Sequence, residues 1–232
     1  MKAASGGVIV ACPPSFTWTS HPCAAECRDA LGKPSPEAAI GGWPVARIRV
    51  INPAMMALDE LARLATTHGL DFIVCGGHAV NAYQVIRKTG DVDLIVRERA
   101  VPQWREHLVA LGYSVFHEDP AFLQLSPPTA QGWPVDLLVV EDTTFDAMRR
   151  AARSFAFGAV TCLIPSVEHL ICMKLHALRF SGEQRMRKDA IDVVELAEAN
   201  DLDLLGEAFR ALCERFADAR VYERILQYAG KR

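Results

Sequence analysis

The sequence has no apolar run approaching the roughly 18 to 20 residues that a bilayer-crossing helix needs, so a membrane-spanning helix is not expected. An excess of positive charge is also missing. With 25 Lys and Arg against 28 Asp and Glu, the 232 residues carry a formal charge of -3, and a nucleic acid would have to be met by a local patch. A disulfide framework is absent: the seven cysteines are an odd number without compact spacing. Cys75, Cys162, Cys172 and Cys213 sit in apolar or helical surroundings and read as small core residues. Cys12, Cys23 and Cys27 cluster with His21, but their spacing fits no zinc module. The opening Met1 to Cys12 imitates a lipoprotein signal only faintly, because Gly6 and Gly7 break its short apolar stretch. A cytoplasmic protein is therefore expected. Neither G-x-G-x-x-G nor G-K-[ST] occurs, which removes the dinucleotide fingerprint and the P-loop.

What is present is an apolar half of the composition, enough for a real core in one domain and a small accessory. Residues 1–52 are rich in Pro, Gly, Ser and Ala without sustained period and read as a disordered extension, with a translation start at Met55 as an alternative account of them. Residues 53–164 alternate helical and strand periods, with strands expected over 71–75, 91–96, 113–117, 122–125 and 133–140. Helices are expected over 53–68, 78–86, 102–111 and 144–152, and a hairpin over 154–163. Residues 165–232 read as helices only, near 166–180, 183–199, 204–216 and 221–228. The fold class is thus α/β (α+β): a small mixed sheet with helices, followed by a helical subdomain.

The chemistry concentrates between Phe72 and Val96. A strand delivers Gly76 and Gly77 into a helix start, and thirteen residues later a second strand opens with Asp91-Val92-Asp93. Strand alternation puts Asp91 and Asp93 on one side and Val92, Leu94 and Val96 in the core. Two carboxylates so close repel unless a cation lies between them, and a hard divalent ion such as Mg²⁺ suits oxygen ligands. Glycines at a helix start let backbone N–H groups approach a phosphate. A third carboxylate, Asp136, interrupts the apolar strand Trp133 to Val140, and burial there is costly without a hydrogen bond or metal. If the two strands are neighbours, the three carboxylates can hold two metals for an in-line phosphoryl displacement. The other reading of Asp91 and Asp93 is a solvated edge strand.

The pattern Gly76-Gly77, thirteen residues, Asp91-x-Asp93 and a later Asp136 resembles the nucleotidyltransferases of the DNA polymerase β superfamily, and within them the AbiEii-type group with its toxin–antitoxin members. The resemblance covers about residues 55–200 and extends to Pro165–Leu178 and to Lys188-Asp189-Ala190-Ile191-Asp192. It implies transfer of a nucleoside monophosphate from an NTP to an acceptor hydroxyl, with two Mg²⁺ ions on Asp91, Asp93 and Asp136. Gly76, Gly77, Thr89, Lys174 and Asp192 would serve the nucleotide. RNA or protein is the implied acceptor and an antitoxin the implied partner. Many members carry Gly-Ser where this chain has Gly76-Gly77, so a hydroxyl contact to phosphate is missing. Lys174 lies in the apolar stripe Val167, Leu170, Ile171, Leu178, where it is either a phosphate ligand or a snorkelled lysine. Lys188 with Asp192 also fits an ordinary i,i+4 pair. Arg87 is a further candidate for phosphate, His78 for substrate or structure, and Arg149, Arg150, Arg153, Arg179, Arg185 and Arg187 for an acceptor groove or a solvated face. A small-molecule nucleotidyltransferase and a non-catalytic nucleotide-binding module are the rival functions.

Overall fold

A computed structural model describes residues 53–180 and 182–230; the leader with Cys12, His21, Cys23 and Cys27 lies outside the described residues. The first part runs α1 (Pro53–His68), β1 (Ile73–Val74), α2 (Gly76–Ala82), β2 (Val92–Arg97), a 3-10 turn, α3 (Val101–Ala110), β3 (Ser114–Asp119), β4 (Phe122–Ser126) and β5 (Val135–Val140). It continues with α4 (Asp142–Ala151) and the hairpin β6 (Arg153–Phe157) and β7 (Val160–Ile164). Four helices follow: α5 (Val167–Phe180), α6 (Glu183–Ala199), α7 (Glu207–Phe216) and α8 (Ala219–Ala229). Two expectations need correction. The strand expected over 71–75 pairs at only two residues, and the helix expected over 78–86 starts at Gly76 and ends by Tyr83, because Gln84 takes a left-handed φ of 66°.

The five-stranded sheet has the order β1-β2-β5-β4-β3 and is mixed: β2 and β5 run parallel, the other pairs antiparallel. Alternation along β2 sorts its residues as the sequence demands. Val92, Leu94 and Val96 are fully buried with Leu58, Leu61, Leu123, Leu125, Val135 and Leu137 in the main core. On the opposite face Ile95 packs with Ile73, Cys75, Phe145 and Met148, so α4 covers the far half of that face. At the end of β2, the buried Arg97 donates through Nη1 to Asp142 at 3.1 Å and through Nη2 to Asp146 at 2.6 Å, with the Phe145 ring 4.3 Å from its guanidinium. The main core continues without a break through Leu170, Leu175, Val193, Phe209, Leu212 and Ile225, so all four later helices bury their apolar stripes against it. Asp218 begins α8 by accepting the Val221 N–H at 2.9 Å.

Candidate active site

The parallel register of β2 and β5 sets Asp93 directly opposite Asp136. Paired residues of neighbouring strands project to the same face. Asp91 stands just before β2 on that side, and one carboxylate oxygen from each of Asp91, Asp93 and Asp136 lies within 4.8 Å of the others. The cluster occupies the end of the face that α4 leaves free. The adjacency of the two strands, which the sequence could state only as a condition, is thus met.

The glycines are required for a reason other than the one expected. Gly76 has φ +57°, and a Cβ there would fall inside the Asp93 carboxylate. A Cβ at Gly77 would lie 2.5 Å from Thr89 Oγ1 and 3.2 Å from Arg87 Nη2. The Gly77 N–H donates to Asp93, so this amide is engaged by the carboxylate. The Thr89 hydroxyl in turn donates to Asp91 Oδ1 at 2.9 Å. On the other flank β4 places Gln124 opposite Asp136, and its Nε2 donates to Asp136 Oδ2 at 3.0 Å.

Burial pushes the Asp93 carboxyl up to about 6, and the negative charges of Asp91 and Asp136 add to the rise; Lys174 and the Gly77 N–H act against it. The same burial, with Asp93 beside it, pushes the Cys75 thiol well up, so Cys75 is an inert core residue and no nucleophile. His78 is buried, with its ring 5.7 Å from Trp133 and 6.2 Å from Phe157 between centroids. Burial lowers its pKa against the opposing pull of Asp91, which leaves a neutral imidazole at pH 7.

Lys174 is neither a snorkelled lysine nor an unsatisfied cation. Its Nζ lies 2.9 Å from Asp189 Oδ1 and 2.6 Å from Asp192 Oδ2, and both carboxylates are buried. Asp192 also takes Arg87 Nη1, so one carboxylate of α6 ties together α5 and the loop that precedes β2. Of the two readings of Asp192, the ordinary i,i+4 pair with Lys188 is set aside: Lys188 is exposed, while Asp192 faces inward to Lys174 and Arg87.

Of the two readings of the arginines, an acceptor groove or a solvated face, the described ones fit the dispersed face better. Arg149 pairs with Asp71 at 2.8 Å, beside Arg97 and so at the end of β2 away from Asp93. Arg153 stacks over Tyr83 at 4.6 Å, and Arg179 over Phe180 at 5.6 Å. Arg150 and Arg187 are exposed.

Gln124 and Asp189 are the residues that the sequence reading passed over as site members. A polar residue centred between Leu123 and Leu125 was the available signal for the first. For the second it was a carboxylate three residues before Asp192, on the same helix face.

Three carboxylates at the start of two parallel strands of a mixed sheet, with a double glycine packed beside one of them and a half-buried, ion-paired lysine nearby, are the arrangement of a nucleotidyltransferase. Residues 60–230 match the family described as "Nucleotidyl transferase AbiEii toxin, Type IV TA system", and the chain belongs to that family. It is an enzyme of the nucleotidyltransferase class. Among solved structures, ANT(2")-Ia in complex with adenylyl-2"-tobramycin is similar with a TM-score of 0.53 and 15% identity, over 72% of this chain and 100% of that one. A solution structure of the antibiotic-resistance factor ANT(2'')-Ia is similar with a TM-score of 0.52 and 16% identity, over 77% of this chain and 97% of that one. At such identities the likeness is one of fold. No curated protein matches the sequence. No helix among the described residues is long and apolar enough to cross a membrane.

Proposed function

We propose that the protein transfers a nucleoside monophosphate from an NTP, ATP or CTP first among them, to a hydroxyl of an RNA or protein acceptor and releases pyrophosphate. In this reading it is a cytoplasmic toxin restrained by a cognate antitoxin. The observation that carries the transfer is the Asp91, Asp93, Asp136 cluster within 4.8 Å. Its donor set is all oxygen, and the Asp93 carboxyl, raised by burial and by the neighbouring Asp91 and Asp136, sits where negative charge is crowded, which fits a hard divalent cation. Asp91 and Asp93 would hold both of two Mg²⁺ ions, with Asp136 on the one nearer the acceptor. When bound, these ions supply positive charge to the attacking and leaving oxygens.

The chain's own groups do the rest. Gly76 and Gly77 let the start of α2 pack directly against Asp93 and Thr89 beside the triphosphate, and Thr89 holds Asp91. Lys174 and Arg87 supply positive charge for the phosphates, and Asp192 holds these two cations in place. Asp136 accepts the proton of the acceptor hydroxyl as its oxygen bonds to the α-phosphorus and the bond to the β-phosphate oxygen breaks.

The test is incubation with each α-labelled NTP, Mg²⁺ and either total RNA or protein. The expected result is label on a macromolecule, dependent on Asp93, and growth inhibition on expression that Asp93→Asn relieves. For RNA, labelling should fall steeply with added salt, since its phosphates must be met by cations. Label confined to small molecules would replace this reading with an antibiotic-type transferase. Nucleotide bound without turnover would replace it with a binding module.

A further inference from the structure

We infer that Gln124 is the positioning residue for Asp136, fixing its carboxylate on the acceptor side of the site. The inference rests on the reading of Asp91, Asp93 and Asp136 as metal ligands. In β4, Leu123 and Leu125 are buried in the main core, so Gln124 between them projects to the opposite face, the face of the carboxylates. The antiparallel register sets it directly opposite Asp136, and its Nε2 donates to Asp136 Oδ2 at 3.0 Å. A carboxamide donor has no charge: it fixes the plane of a carboxylate without neutralising it, as an arginine at the same distance would. Gln124 thus orients Asp136 without itself cancelling the charge that a metal ligand and proton acceptor needs. Groups that orient a ligand in this way are worth about 10- to 100-fold in metal affinity or activity.

The strand order assigns Gln124 to one half of the reaction. From β2 through β5 to β4 the face presents Asp93, then Asp136, then Gln124. Gly76 packs against Asp93, and Lys174 acts on Asp93 as well, so both lie on the β2 side of the row. Gln124 is on the far side of Asp136, away from the groups proposed for the triphosphate. Its loss should slow the step in which Asp136 takes part and leave NTP binding alone.

The experiment compares wild type, Gln124→Leu, Gln124→Met and Asp93→Asn in the full chain. Mn²⁺ binding is measured by electron paramagnetic resonance without NTP, and kcat and KM for NTP are measured in the labelling assay. Both Gln124 variants should bind Mn²⁺ about 10-fold more weakly and show kcat lower by about 10- to 100-fold, with KM for NTP within about twofold of wild type. The unbranched Met variant guards against a packing defect of Leu, and melting temperatures of both are recorded. Wild-type Mn²⁺ affinity and kcat in either folded variant would overturn the inference, as would a rise in KM for NTP with kcat unchanged. If Asp93→Asn retains full Mn²⁺ affinity, the metal reading itself fails. If Asp93→Asn loses it while the Gln124 variants do not, only the role of Gln124 fails.

Discussion

Replacing Asp93 by asparagine should end transfer and, in the absence of metal, make the folded protein more stable at neutral pH. Asp93 is held by burial and by the charges of Asp91 and Asp136 at a pKa of about 6, against an ordinary value of 3.8. Between those two values the native state binds more protons than the unfolded chain, so stability falls as pH rises through the interval and stays low above it. The difference corresponds to about 3 kcal/mol at pH 8. Asparagine does not recover all of it, because burial of its amide also costs, and a gain of roughly 1 to 3 kcal/mol is expected. For a domain of this size that is about 3 to 9 °C in Tm. Differential scanning calorimetry in EDTA at pH 8 and pH 4 measures it: the gap should be present at pH 8 and close at pH 4, where native Asp93 is protonated. Mg²⁺ at about a thousand times its Kd should reverse the order at pH 8, since it stabilises wild type by about 4.1 kcal/mol and the variant hardly at all. A variant less stable than wild type in EDTA at pH 8, or a gap independent of pH, would refute the reasoning.

Gly76→Ala should destabilise the protein by about 1 to 3 kcal/mol and abolish labelling, because its φ is +57° and its Cβ would occupy the place of the Asp93 carboxylate; urea unfolding and the transfer assay report both. Gly77→Ser should be strained because its Cβ would lie 2.5 Å from Thr89 Oγ1 and 2.6 Å from Thr89 Cβ, and Thr89→Gly, which removes both atoms, should relieve that strain, so the two changes should be non-additive in a double-mutant cycle of stability. Lys174→Met should cost about 3 to 5 kcal/mol, because it removes the cation between the buried Asp189 and Asp192, and Asp189→Asn in the same background should recover part of the loss in thermal melts.

The carboxylates were legible because strand alternation and an Asp in an apolar run are local signals. Asp91 and Asp93 share a side by period alone, and Asp136 stands out between Val135 and Leu137. What alternation does not carry is register. Nothing in Phe122-Leu-Gln-Leu-Ser126 says that β4 lies beside β5 with Gln124 across from Asp136 rather than one step away, which would have sent it to the core. The glycines illustrate a different limit. A double glycine at a helix start announces that something approaches closely, but not what. Here Asp93 approaches at Gly76 and Thr89 at Gly77, both from inside the chain. The helical stripe of α5 likewise placed Lys174 among apolar residues correctly, while the two carboxylates that satisfy it belong to α6 and become neighbours only on folding.

The buried ion pairs connect the site's two halves. Arg87 belongs to the segment that also supplies Thr89 and Asp91, whereas Lys174 and Asp192 belong to α5 and α6. Asp192, shared between Arg87 and Lys174, therefore holds the loop that carries Asp91 against the later helices. Ion pairs of this kind add little net stability over an apolar packing of the same volume, since desolvation offsets most of the attraction. Their effect is geometric: they fix two cations close to three carboxylates and keep those cations from collapsing onto Asp91 or Asp93. With Lys174 and Arg87 engaged by Asp192, no side-chain ion pair among the described residues ties either of these two cations to Asp91 or Asp93. The raised carboxyl of Asp93 follows from this arrangement, because Lys174 lowers it by less than burial and the other two carboxylates raise it.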